Sequence, residues 1–262
     1  MARSRSLVGR PTRGKTAPER LRRADVLCDL LRLPPSRSPL VVDVGFGADA
    51  VTTLETFRRL RTRCDSLRII GVEIDRERVE AALPHAQPGK VDFRLGGFDL
   101  PLLVGERPGL IRAMNVLRQY PEAEYDSARR LLMTSLCEGG VLLEGTSSPS
   151  GRLLTANLWR RVDGGDRHDG VVLSVNLQRP WTPRELQTVL PKNWIHRCAP
   201  SSEIDRWFGD WDHIVSDLRD PRAPRRTRRG IFTQAAHRLR EQGAQLDLRA
   251  SLLTRGFLIT RW

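Results

Sequence analysis

Two short stretches of this chain hold residue types that can do more than pack. In Val41-Val42-Asp43-Val44-Gly45-Phe46-Gly47-Ala48-Asp49, an apolar run ends in an acid and two glycines. Glycine lets a backbone pass close beneath a ligand, where any Cβ would collide. Glu73 follows 26 residues after Gly47 and closes a second apolar run, Ile69-Ile70-Gly71-Val72-Glu73-Ile74-Asp75. A carboxylate there can accept two hydrogen bonds from the vicinal hydroxyls of a ribose. Taken singly, the first stretch also reads as an ordinary strand-to-helix turn and the second as a solvated strand end. Their pairing is what points to a nucleoside crevice.

The elements that would position these residues follow from periodicity. Short apolar runs at Leu40–Val44, Ile69–Val72, Val91–Leu95, Leu110–Met114 and Val141–Leu143 predict strands. Between them, apolar residues at helical spacing predict helices over Val51–Leu60, Arg76–Leu83 and Ala123–Cys137, the last stopped by Gly139-Gly140. Buried strands alternating with helices imply a parallel sheet covered on both faces, with ligands beyond the carboxyl ends of its strands. A helix over Ala17–Leu33 precedes this core, ended by Pro34-Pro35. After Gly145 the pattern changes to antiparallel strands, Leu153–Arg160 and Val171–Leu177, joined by a polar turn over Asp163–Gly170. Thr182–Leu190 predicts a capped helix, the stretch 191–230 is poorly periodic with a basic loop at Pro221–Arg229, and a helix near Phe232–Gln242 and a strand over Gly256–Trp262 close the chain.

The acid-x-Gly-x-Gly after the first strand, the acid closing the second, Leu131-Leu132, and Gly139-Gly140-Val141-Leu142-Leu143 together resemble class I S-adenosylmethionine-dependent methyltransferases over about residues 38–147. Within that class the chain looks most similar to poorly characterised actinobacterial members, which share an Arg-Gly-x-Thr arm and an Asn-Val-Leu-Arg-Gln-Tyr stretch. The resemblance implies a Rossmann-like α/β fold: a mostly parallel seven-stranded sheet, helices on both faces and an antiparallel C-terminal strand. It also implies S-adenosyl-L-methionine as cofactor. Asp43 would orient its amino-acid end, Gly45, Phe46 and Gly47 would give it backbone room, and Glu73 would hold the ribose. Gly97 and Phe98 would edge the adenine, and Asn115 would stand beside the methionyl group and the acceptor. Asn115 and Tyr120 are the catalytic candidates, Asn115 being also a plausible strand cap. Ala48 or Asp49 stands where the family has its third glycine, and Gly97 where many members have an adenine-binding acid, with Asp99 two residues late.

The implied organisation is a flexible basic arm at 1–16 and one domain over 17–262, made of an N-terminal helix (17–37), a cofactor core (38–147) and a substrate-side part (148–262). The net charge of +13 and the arm residues Arg3, Arg5, Arg10, Arg13 and Lys15 leave nucleic acid open as a partner. Yet lysine stands only at 15, 90 and 192, so the charge is an arginine skew spread along the whole chain. Gly9-Arg10-Pro11-Thr12-Arg13-Gly14-Lys15-Thr16 matches the phosphate-loop pattern by letter, but no buried strand delivers it. If the following helix folds over the cofactor, Arg13, Lys15 and Thr16 would meet a cofactor carboxylate or an anionic substrate. Rival readings are a basic nucleic-acid binder, including an RNA methyltransferase or a non-catalytic scaffold, and a nicotinamide oxidoreductase. The latter is weakened by the short glycine pattern. Cys28, Cys64, Cys137 and Cys198 show no metal-ligand spacing and predict buried, reduced thiols with no metal. Without a signal or membrane segment the sequence predicts a soluble, cytoplasmic protein. It names neither the methyl acceptor nor an oligomeric state.

Overall fold

The computed structural model describes residues 7–35, 38–222 and 224–262. In the first half the elements are α1 (Arg22–Leu30), β1 (Leu40–Val44), α2 (Val51–Arg61), β2 (Arg68–Glu73), α3 (Arg76–Ala82), β3 (Val91–Leu95), β4 (Leu110–Met114), α4 (Glu122–Ser135) and β5 (Val141–Ser147). The second half adds β6 (Leu153–Val162), β7 (Gly165–Val175), α5 (Lys192–Ile195), α6 (Glu203–Leu218), α7 (Arg228–Glu241), β8 (Gln245–Asp247), α8 (Ala250–Leu253) and β9 (Phe257–Arg261). One sheet runs β3-β2-β1-β4-β5-β6-β7-β9-β8, parallel from β3 to β5 and antiparallel thereafter. The fold is therefore α/β with a Rossmann-like parallel core, as the sequence predicts. It has nine strands rather than seven, and the antiparallel part is four strands rather than one.

Strand alternation divides the core. Val41, Ile69, Val91, Leu110 and Val141 face α1, α2 and α3, while Val42, Ile70, Ile111 and Leu142 face α4. The antiparallel half carries its own cluster under α6 and α7, centred on Phe208, Trp211, Phe232 and Leu258.

Two expectations are corrected. The turn expected over Asp163–Gly170 is only Asp163-Gly164, and β7 runs on through the remaining polar residues. Both turn residues have positive φ (51° and 71°), the geometry that Asp-Gly favours because its twist matches the flanking strands. The stretch expected to be poorly periodic holds α6, capped by the Ser202 hydroxyl accepting from the Asp205 N–H, with Ile204, Phe208, Trp211, Val215 and Leu218 buried at helical spacing. Of the four cysteines, all free, only Cys28 is buried, and burial pushes its thiol up to about 12.

Arg112 stands in the middle of β4 with no solvent exposure. It pairs in register with Asp43 of β1, and both side chains face the α1 and α2 side. Its Nε and Nη2 donate to the Asp43 carboxylate at 2.9 and 2.7 Å, and Nη1 donates to Asp25 Oδ1 of α1 at 2.8 Å. Thr53 Oγ1 also donates to Asp43 (2.6 Å), and Thr56 Oγ1 and Arg59 Nη1 to Asp25 (both 2.6 Å). Burial opposes the Arg112 charge, but the two carboxylates more than offset it and hold the guanidinium above its ordinary value. Replacing one partner leaves uncompensated buried charge. Arg112→Met should therefore lose about 3–5 kcal/mol in urea unfolding, while Arg222→Gln on an exposed loop should change little.

A second buried acid behaves differently. Glu144 of β5 is fully buried, and its Oε2 accepts from the Tyr125 hydroxyl (2.9 Å) and Asn157 Nδ2 (2.8 Å), with no cation paired to it among the described residues. Burial raises its carboxyl from 4.5 to about 7. A raised carboxyl stabilises the fold fully below its unfolded value and loses that contribution as pH rises through the folded one. Urea unfolding should show stability falling by roughly 2–3 kcal/mol between about pH 5 and 8 from this group, and Glu144→Gln should remove that slope.

Candidate functional site

The parallel order β3-β2-β1-β4-β5 reverses direction between β1 and β4, and the carboxyl ends of those strands form the crevice where ligands of open α/β sheets bind. The turn after β1 is held across this edge. The Gly45 N–H donates to Val72 O at 2.7 Å, and the Gly47 N–H donates to Glu73 Oε2 at 3.0 Å. Gly45 and Gly47 have φ of +70° and +86°, which glycine adopts without strain. Glu73 is 2% exposed, and its Oε1 accepts from the Ile74 N–H at 2.9 Å. The glycine turn and the acid paired in the sequence are thus joined by a direct hydrogen bond. Phe46 packs beneath them, edge-on to Phe93.

The Glu73 end of this crevice is filled by the chain's own arm. The Phe98 N–H donates to Val8 O at 2.8 Å, the Arg10 N–H donates to the Tyr120 hydroxyl at 2.7 Å, and that hydroxyl donates back to Arg10 O at 2.8 Å. Further along, Arg78 Nη2 donates to Thr12 O (3.0 Å), the Arg13 N–H to Gln119 Oε1 (3.0 Å), and the Ala48 N–H to Gly14 O (2.9 Å). A Cβ on Gly97 would lie 2.0 Å from Val8 O, so the missing side chain is what admits the arm. Only about 20 Å³ remains between the arm and Glu73, Gly97, Phe98 and Tyr120. As arranged, no nucleoside fits. Gly45, Glu73, Gly97 and Phe98 line the space against Val8–Thr12.

The other side of the arm borders a cavity of about 790 Å³ at the ends of β1, β4 and β5. Asn115 lines it in a left-handed conformation (φ 63°), which asparagine tolerates better than most residues. Its Oδ1 accepts from the Ser147 N–H at 2.9 Å and its Nδ2 donates to Ser147 Oγ at 3.2 Å, locking the ends of β4 and β5 together. Tyr120 instead lies on the Glu73 side, 5% exposed, under the Arg10 guanidinium, and burial raises its phenol above the ordinary value. No carboxylate or imidazole lines this cavity among the described residues.

Gly45, Phe46, Gly47, Glu73, Gly97, Phe98 and Asn115 are therefore brought to one edge of the sheet. Asp43 is not among the residues lining either cavity. Its carboxylate accepts from Arg112 and Thr53, two residues before the glycine turn. The phosphate-loop pattern at 9–16 lies in no regular element, and α1 begins six residues after Thr16. Sequence reasoning passed over Arg112, although an arginine inside an apolar strand signals buried acids, and over Arg118 and Thr146, which carry no local signal.

No family model matches the chain, and no curated protein does. Among solved structures, part of it is similar to a putative protein-L-isoaspartate O-methyltransferase from Plasmodium falciparum in complex with S-adenosyl-L-homocysteine. The match has 15% identity, covers 55% of this chain and 68% of that one, and has a TM-score of 0.35. The plantazolicin methyltransferase BpumL is matched at 12% identity over 49% of this chain and 46% of that one, TM-score 0.38. The 4+2 cyclase SpnF is matched at 22% identity over 47% and 44%, TM-score 0.36. The chain spans less than half the length of the last two. The likeness is loose, and the sheet order of the chain itself defines its fold.

The seat of the arm is open to test. Gly97→Ala places a Cβ against Val8 O and should eject the arm, raising amide hydrogen exchange at Val8–Arg13 and Phe98 by at least about tenfold. Urea stability should stay within about 1 kcal/mol. Unchanged exchange would show that the arm does not depend on this contact.

Proposed function

We propose that this chain is an S-adenosylmethionine-dependent methyltransferase whose cofactor enters the crevice between Gly45, Glu73 and Phe98 when Val8–Thr12 withdraws. The observation that carries the reading is the Gly47 N–H to Glu73 bond, which joins the carboxyl ends of β1 and β2 next to the β1/β4 switch point and sets a candidate ribose acceptor beside a glycine turn. When bound, the cofactor supplies an activated methyl carbon for in-line displacement.

The chain's own part is alignment and exclusion of water. Glu73 accepts from the ribose hydroxyls, the Phe98 N–H meets the adenine edge, and Gly45 and Gly47 leave room for the amino-acid end. Asn115, fixed by Ser147, stands between that end and the acceptor. Tyr120, with a raised phenol and both hydrogen-bonding roles engaged by Arg10, serves as a latch for the arm and not as a base.

Calorimetric titration of S-adenosylhomocysteine tests this. Wild type should bind, Glu73→Gln should bind at least about tenfold more weakly, a loss of about 1.4 kcal/mol, and Tyr120→Phe, which loses the latch, should bind a few-fold more tightly. Absence of binding by both wild type and Tyr120→Phe would overturn the reading.

A further inference from the structure

The cavity of about 790 Å³ is within the size range of small-molecule sites, and its wall is one-sided in charge. Arg13 and Lys15 from the arm, Arg20 just before α1, and Arg118 after β4 all line it, with no acid among the lining residues. None of the four is in an ion pair among the described residues. The other large cavity, about 920 Å³, provides the contrast. Two acids line it: Arg160 and Arg167 are paired with Asp169 and Arg249 with Asp247, while Arg240 and Arg261 bond to backbone carbonyls.

Two of the four cations are half-buried, and burial lowers both Arg20 and Arg118 from the ordinary arginine value. Arg20 Nε is buried with no partner, and Arg118 is held by a single bond from Nη1 to Thr188 O at 2.7 Å. The remaining guanidinium donors of Arg118 are free to meet a planar oxyanion. Two hydroxyls add to this. Thr146 is 7% exposed with its Oγ1 unpartnered, and Thr16 Oγ1 is likewise buried and unpartnered. Both residues line the cavity. Buried donors without partners mark a place where a ligand completes the hydrogen bonding.

We propose that this cavity is the acceptor site and that the acceptor carries an oxyanion, a carboxylate or a phosphate, gripped by Arg118 and Arg20 with Arg13 and Lys15 closing over it from the arm. Its role as the acceptor site rests on the methyltransferase reading, but its anion affinity does not. The placement follows from the lining, which includes Asn115 and Ser147 together with the Gly45–Gly47 turn but not Glu73. With no carboxylate or imidazole on the wall, an ionised acceptor also removes the need for a base, since an oxygen already bearing the negative charge has no proton to give up.

The test uses the full chain with inorganic phosphate and succinate as separate probes, at fixed ionic strength against chloride, read as shifts in thermal unfolding midpoint. At least one probe should give a saturable rise over chloride, and the one with the lower dissociation constant identifies the head group. Arg118→Gln and Arg20→Gln should each weaken that probe by at least about tenfold, whereas Arg222→Gln, on a distant exposed loop, should leave it unchanged. No shift beyond chloride, or equal binding by wild type and all three variants, would overturn the proposal. S-adenosylhomocysteine binding without probe binding would sink this inference alone. Probe binding with no S-adenosylhomocysteine binding by either wild type or Tyr120→Phe would sink the methyltransferase reading and leave an anion site.

Discussion

The pairing of Arg112 with Asp43 and Asp25 is the interaction on which the ligand edge of this protein depends. A guanidinium buried in the middle of a central strand is tolerated only with neighbouring charge to meet it. Here the charge comes from β1 beside it and from α1 above it, with threonines of α2 closing the ring. The network thereby fixes the register of β1 against β4 and the seat of two helices at once. Gly45 lies two residues beyond Asp43, and Asn115 three beyond Arg112, so the two strand ends that border the crevice are positioned by the buried charge cluster behind them.

Much of the architecture was legible because the first half of the chain obeys simple periods. Its strands are apolar runs and its helices carry clear stripes, so boundaries agree with expectation to within a few residues at β1, α2, α3, β3 and β4. The second half was harder for specific reasons. Gly165–Gly170 is polar because β7 begins there as an edge strand, paired with β6 and not met by β9 until Val171, and a polar run of this kind reads as a loop. In α6 the apolar stripe is present, but Gly209 and five acids interrupt it. At the site, the glycine turn and Glu73 could be read because local spacing alone pairs them. The fate of Asp43 could not, because its partner lies 69 residues away.

The arm joins the two cavities. Its backbone carbonyls and amides occupy the Phe98 and Tyr120 side, while its cationic side chains at 13 and 15 border the larger cavity. The described cations of the arm therefore face the molecule's own ligand edge. Arg10 lies over Tyr120 and pairs with Glu124, and Arg10, Arg13 and Lys15 all remain exposed to water.

A segment that sits in a crevice while covalently attached acts as a competitor at a high effective concentration, one that dilution never removes. Any ligand of that crevice meets a protein in which only a fraction of molecules is open, and its apparent affinity is its intrinsic affinity multiplied by that fraction. Extensions fused ahead of Met1 should alter the tether and hence the open fraction, so the same pocket should show different apparent affinities in differently tagged chains.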